Sequence, residues 1–138
     1  MRRRRSRSRA QALVEFALVI PILVIALMAL FDFGQAVLAY NSISNASRAA
    51  IRTAVVDQNT TVIEDRARSQ TIGLNPDSLT VDTSTLIPDC VVVKIGCQAT
   101  LTVTYDWQAI TPIIGGIIGP IELSSTTAMP IERVHTSP

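Results

Sequence analysis

Hydrophobic and polar positions divide the chain into two unequal parts. From Phe16 to Phe31, sixteen consecutive residues carry no charge and no polar side chain. As an α-helix that run is about 24 Å long, against a bilayer hydrocarbon core of roughly 30 Å. Apolar residues continue past Asp32 with Phe33, Ala36, Val37, Leu38 and Ala39. The pattern therefore predicts a membrane-spanning helix over about residues 14–38, with Asp32 and Gly34 marking its outer interface. Periodicity continues beyond the span. Phe33, Ala36, Val37, Tyr40, Ile43, Ala50 and Ala54 follow steps of three and four, while Arg48 and Arg52 are four apart on another face, toward water. One helix over 11–56, half in lipid and half outside, is expected.

The remaining positions predict a small head over 57–133 and a polar tail over 134–138. Asp57-Gln58-Asn59-Thr60 interrupts the helical pattern. Thr61 and Glu64 have capping-box spacing, so a second helix is expected over about 62–72. Ile63, Ala67 and Leu74 mark its inner side, Gly73 ends it, and Asn75-Pro76-Asp77 forms a turn. Leu79-Thr80-Val81 reads as a short strand. Val91 to Ile95 and Ala99 to Trp107 are β-branched and alternating, with Leu101, Val103, Tyr105 and Trp107 on one side. A tight hairpin through Gly96-Cys97-Gln98 is expected between them. Residues 110–121 (ITPIIGGIIGPI) predict a short apolar helix or hydrophobic loop, opened by Thr111-Pro112 and stopped by Gly119-Pro120. This segment either plugs the small core or makes a contact surface for membrane or a partner subunit. Residues 121–133 close the domain as a strand. The fold class is α+β: a long N-terminal transmembrane helix continuing into an extracytoplasmic domain with a short second helix and a small antiparallel sheet.

Charge adds a direction. The formal net charge is +1. Arginines 2, 3, 4, 5, 7 and 9 precede the apolar run, and the rest of the chain has six basic residues against eleven acidic, a net −5. Such a tail can bind nucleic acid, but next to an apolar span the positive-inside rule explains it more economically. That rule predicts an N-terminus in the cytoplasm and the head outside, with the membrane and no nucleic acid as partner. The two cysteines, Cys90 and Cys97, fall on the external side. A disulfide is expected there, since the compartment is oxidising; two free thiols in a small core are the alternative. A metal reading lacks further ligands, because the sole histidine, His135, lies in the polar tail.

Two residues inside the apolar region need an account. Glu15 is a carboxylate in a membrane segment, which costs roughly 2.5–3.5 kcal/mol at a helix centre and less near the ends. It is either an interfacial residue near the arginines or a partner for a positive charge in an assembled or processed form. Pro21 removes a backbone donor and reads as a kink. A secretory signal peptide cut after Ala39 is a competing reading of the N-terminus. Asp32 just before the cut, and helical patterning beyond it, count against that reading.

The stretch RAQALVEFALVIP, from Arg9 to Pro21, resembles the start of TadE-like proteins, minor pseudopilins of the tight-adherence (Tad, Flp-type) pilus system. In that family a basic leader ends in a small residue, usually glycine, with a glutamate fifth after the cut and a run of the form EFALVxP. The resemblance implies cleavage between Ala10 and Gln11 by a prepilin peptidase on the cytoplasmic side, leaving residues 1–10 as leader. Ala10 stands where glycine is usual. Glu15 becomes the fifth mature residue and would meet the free α-amine of a neighbouring subunit. An ion pair in lipid is favoured mainly because the unpaired charge is so costly there. The implied partners are prepilin peptidase, other pilin or pseudopilin subunits and the Tad assembly machinery. The implied location is the cytoplasmic membrane or a pilus.

No phosphate loop, nucleophile–histidine pair or metal motif is present in the sequence. No enzyme activity, catalytic residue, metal or cofactor is expected. Two alternatives to the pilin reading remain: an uncleaved bitopic envelope scaffold, and a secreted domain starting at Tyr40.

Overall fold

The computed structural model describes residues 3–84, 86 and 92–134. Cys90, Val91 and His135 lie outside the described residues. A single helix, α1 (Arg3–Ala54), takes up the first part of the chain. Its 52 residues give a rod of about 78 Å. α1 passes through Pro21 without interruption. It closes where the N–H of Val55 bonds to the Ile51 carbonyl at 3.0 Å and the N–H groups of Val56 and Asp57 both reach that of Thr53, at 3.1 and 2.8 Å.

The helix α2 (Thr60–Ser69) follows a short break. Its cap is Asn59, whose side-chain carbonyl accepts from the Thr61 N–H at 3.1 Å, so the expected Thr61–Glu64 capping box does not open it. Asn ranks above Thr at this position, and the helix begins two residues before the sequence expectation. It also ends earlier. The Gln70 N–H bonds the Ala67 carbonyl, and Thr71 returns both its N–H and its hydroxyl to the Arg68 carbonyl. Those carbonyls are satisfied before Gly73 (φ +78°) is reached, so Gly73 sits in the following turn. One 3-10 turn, Pro76–Ser78, is capped by the Asn75 side chain.

Three strands, β1 (Leu79–Asp82), β2 (Gln98–Trp107) and β3 (Ile121–Pro130), make one antiparallel sheet in the order β1-β2-β3. The helix α3 (Pro112–Ile118) joins β2 to β3. Leu79 faces Tyr105 and Val81 faces Val103 across one edge of β2; Leu101 faces Thr127 and Trp107 faces Ile121 across the other. The expected hairpin between Val91–Ile95 and Ala99–Trp107 does not form: residues 92–95 carry no strand, and both edges of β2 are taken by β1 and β3. Past the end of β1 the edge continues at Leu86, whose carbonyl accepts the Thr100 N–H at 2.8 Å. The expected turn exists, but displaced. The Cys97 N–H bonds the Lys94 carbonyl, with Gly96 at φ +91°, a conformation L-side chains rarely adopt. Its N–H then pairs with the Ile131 carbonyl, which ties the turn to the chain after β3. Just after β1, the Ser84 N–H and hydroxyl both donate to Asp82 and hold its carboxyl below the usual carboxylate range.

The sheet lies against the second half of α1. Period-two alternation on β2 turns Ala99, Leu101, Val103 and Trp107 inward and leaves a threonine-rich outer face. On α1 the buried positions are Asp32, Ala39, Ile43, Ala46, Ser47, Ala50, Ile51 and Ala54, one stripe at helical spacing. Alanines in that stripe let the sheet approach closely. Phe33, Val37 and Tyr40, which the sequence pattern groups with the packed face, are exposed. α2 adds Ile63 and Ala67 to the same core. Beyond β3, the Glu132 and Arg133 N–H groups both bond the Val55 carbonyl at 3.0 Å, and Gln58 bridges the carbonyls of Ala54 and Arg133. These contacts clasp the end of the sheet to the end of α1.

Candidate functional site

The site with functional content is the surface of α1 from Ala10 to Leu38. Every residue from Ala10 to Phe31 is exposed, and this part of the helix is long and apolar enough to cross a membrane, with none of its apolar window buried inside the protein. Two carboxylates interrupt it, and the structure treats them differently.

Glu15 stands exposed among Leu13, Val14 and Phe16. Its Oε1 accepts from the Gln11 side-chain amide at 3.2 Å, one turn earlier on the same face. Ala10 and Gln11 are both exposed helical residues. Pro21 lies six residues beyond Glu15; lacking an N–H, it leaves the Ala17 carbonyl without its usual helical donor.

Asp32 is only 3% exposed, so it is not the water-facing end of the span that the sequence suggests. It sits seven residues before Ala39 and fourteen before Ala46, on the stripe that packs against the head. Its Oδ1 accepts the backbone N–H of Ile110 at 3.1 Å and that of Thr111 at 3.4 Å, and its Oδ2 accepts the Thr111 hydroxyl. Thr111 stands at the start of α3 without capping it through its own side chain, because that hydroxyl is turned to Asp32. A carboxylate thus pins the β2–α3 connection to the apolar part of α1. The sequence carried a signal for this: the heptad relation of Asp32 to Ala39 and Ala46.

A second polar tie lies higher on the stripe. Buried Ser47 bonds the hydroxyls of Ser125 at 3.2 Å and Thr127 at 2.9 Å, besides the Ser44 carbonyl. These hydroxyls satisfy one another where helix and sheet meet. Cys97 is buried and disulfide-bonded; its expected partner, Cys90, lies outside the described residues. Among the described residues no group of three or more His, Cys, Asp or Glu side chains is placed to hold a metal ion.

Comparison with curated proteins and with solved structures gives no match. Residues 10–52 match the family model described as TadE-like protein. The matched segment takes in Glu15, Pro21, Asp32 and most of the buried stripe of α1. That family is a component of the Tad pilus system and is not known as enzymatic. Among the described residues one helix, near the N-terminus, is long and apolar enough to cross a membrane, and it contains the segment that matches this family. Over residues 10–52, the apolar half of α1 and most of the half that packs against the sheet, this chain is similar to the TadE-like proteins.

Proposed function

We propose that the chain is a minor pilin or pseudopilin of a Tad pilus assembly system. It is anchored by α1 with its N-terminus in the cytoplasm and its α+β head outside the cytoplasmic membrane, and it acts in pilus biogenesis or adhesion. The observation that carries the reading is Glu15. It is the sole charge from Ala10 to Phe31 and is exposed on a segment that matches the TadE-like family. Prepilin peptidase removes residues 1–10, and the new α-amine at Gln11 lies one turn from the Glu15 carboxylate. When helices pack side by side in lipid, that amine on one subunit meets Glu15 of the next. The pair sets the register between subunits, because either charge left alone in hydrocarbon is costly. The Cys97 disulfide closes on Cys90 and staples the loop before β2.

A second reading, an uncleaved bitopic scaffold, has one observation in its favour. α1 runs as continuous helix through the Ala10–Gln11 bond, and Ala10 stands where the family has glycine. A secreted domain starting at Tyr40 fits less well, since Ala39 is buried against the head within unbroken helix.

Intact-mass measurement and non-reducing peptide mapping of the membrane-extracted protein separate these readings. A start at Gln11 with a Cys90–Cys97 peptide is expected; a start at Met1 supports the scaffold, and two free thiols reject the bridge. Glu15→Ala is expected to insert normally and lose assembly, and normal piliation in that variant removes the proposed role.

A further inference from the structure

The head is built so that one end of its sheet points down α1. Ser47 meets Ser125 and Thr127, and Asp32 meets Ile110 and Thr111. From residue 47 back to 32 is about 22 Å of helix, and from 127 back to 121 is about 20 Å of strand. The β2–α3–β3 connection therefore lies beside Asp32, at the anchor end of the sheet. Four of its isoleucines are not spent on the core: Ile110 is 71% and Ile117 80% exposed, and Ile118 and Ile121 are exposed as well.

The position of Asp32 along the anchor decides what faces these isoleucines. A hydrocarbon core of about 30 Å takes up about twenty residues of helix. If it starts at Leu13 it reaches residue 33; if it ends at Leu38 it starts at Leu18. Asp32 is at its outer edge in the first placement and six residues inside it in the second. Phe31, Phe33, Val37 and Leu38 are exposed on both sides of Asp32 along the chain, and exposed Tyr40, of a residue type favoured at membrane interfaces, follows them. The carboxylate of α1 at this depth is covered, its oxygens held by two backbone N–H groups and the Thr111 hydroxyl, while exposed Asp106 and Glu122, paired one residue beyond Trp107 and Ile121, mark the polar side of the connection.

We propose that residues 110–121 are a second membrane contact: the exposed isoleucines of α3 and its flanks seat among lipid acyl chains beside α1, and Asp32 holds them there. The apolar surface of the anchor and that of α3 then form one lipid-facing surface. The inference rests on α1 being the membrane anchor and goes beyond it, since an anchored head could equally stand clear of the bilayer.

Trp107, the only tryptophan, is the last residue of β2 and pairs with Ile121, so it reports the depth of this connection. The full chain is reconstituted in phosphatidylcholine vesicles with lipids brominated at shallow or at deep acyl carbons. Loss of indole emission relative to unbrominated vesicles is expected, greater with the shallow bromines. A Trp107→Phe, Ile117→Trp double variant moves the indole to the exposed face, where a larger loss is expected. Unchanged emission with both brominated lipids, in both proteins, overturns the inference. So does an indole at position 117 that lipid does not quench but that is shielded from aqueous acrylamide, because a protein neighbour then covers the face. Vesicle co-flotation resistant to alkali is read on the same samples. Its loss is a failure of the anchor, whereas co-flotation without quenching is a failure of this inference alone.

Discussion

Asp32 and Glu15 show how one side-chain chemistry takes two roles on one helix. A carboxylate facing hydrocarbon costs several kcal/mol unless it is paired or covered. Asp32 is covered within the chain by donors from the β2–α3 connection, while among the described residues exposed Glu15 has only the Gln11 amide. Hydrogen bonds to a charged group contribute about 1.5–3 kcal/mol, and stranded buried donors add to the loss. Asp32→Ala is therefore expected to destabilise the head by about 3 kcal/mol in denaturant unfolding in micelles, and to speed amide exchange over residues 108–120. Asp32→Asn keeps an acceptor oxygen and should lose less than half as much. Equal losses in the two variants would falsify the account of Asp32 as an acceptor.

Element by element, α1 does two jobs with two compositions. Up to Leu38 it presents large apolar side chains outward. From Ala39 on it presents a stripe of alanine and serine with Ile43 and Ile51, against which Leu101 and Val103 of β2 pack. Close packing makes that stripe intolerant of volume, and overpacking a filled interface costs about 1–3 kcal/mol. Ala50→Leu is expected to lower unfolding free energy by that amount, whereas Ala17→Leu, on the exposed anchor, should leave it unchanged. Equal effects at the two sites would mean that the sheet does not rest on this stripe. The strand pairing follows the same demand. β2 alternates along its whole length and has partners on both edges, and its inner residues need a cover that α1 supplies.

For the molecule as a whole, the arginines, the apolar run and the head follow one another along α1. Six arginines before the apolar run, and a net −5 after it, are the basis of the proposed cytoplasmic N-terminus, by the positive-inside rule. Replacing the six arginines by glutamine is expected to raise the fraction of chains whose head is shielded from protease added to intact cells stripped of any outer barrier. An unchanged fraction would show that the arginines do not orient the chain. The polar ties at Asp32 and Ser47, and the clasp at Val55 and Gln58, hold the head against α1 at three heights.

Local pattern by itself determined a long N-terminal helix, strands at 79–81 and 99–107 to within a residue, and the likeness to TadE-like proteins around Glu15, because each is written in consecutive residues, while it left 110–121 open between a short helix and a loop. Cap choice was partly legible, and Asn59 took the place of Thr61 because the two candidates compete within three residues. Tertiary structure alone decided which strand flanks β2, since Val91–Ile95 has strand composition but both edges of β2 are filled from elsewhere. It also decided that Asp32 is covered rather than a boundary with water. Its donors, Ile110 and Thr111, lie far along the chain, and only the folded sheet brings their N–H groups to α1.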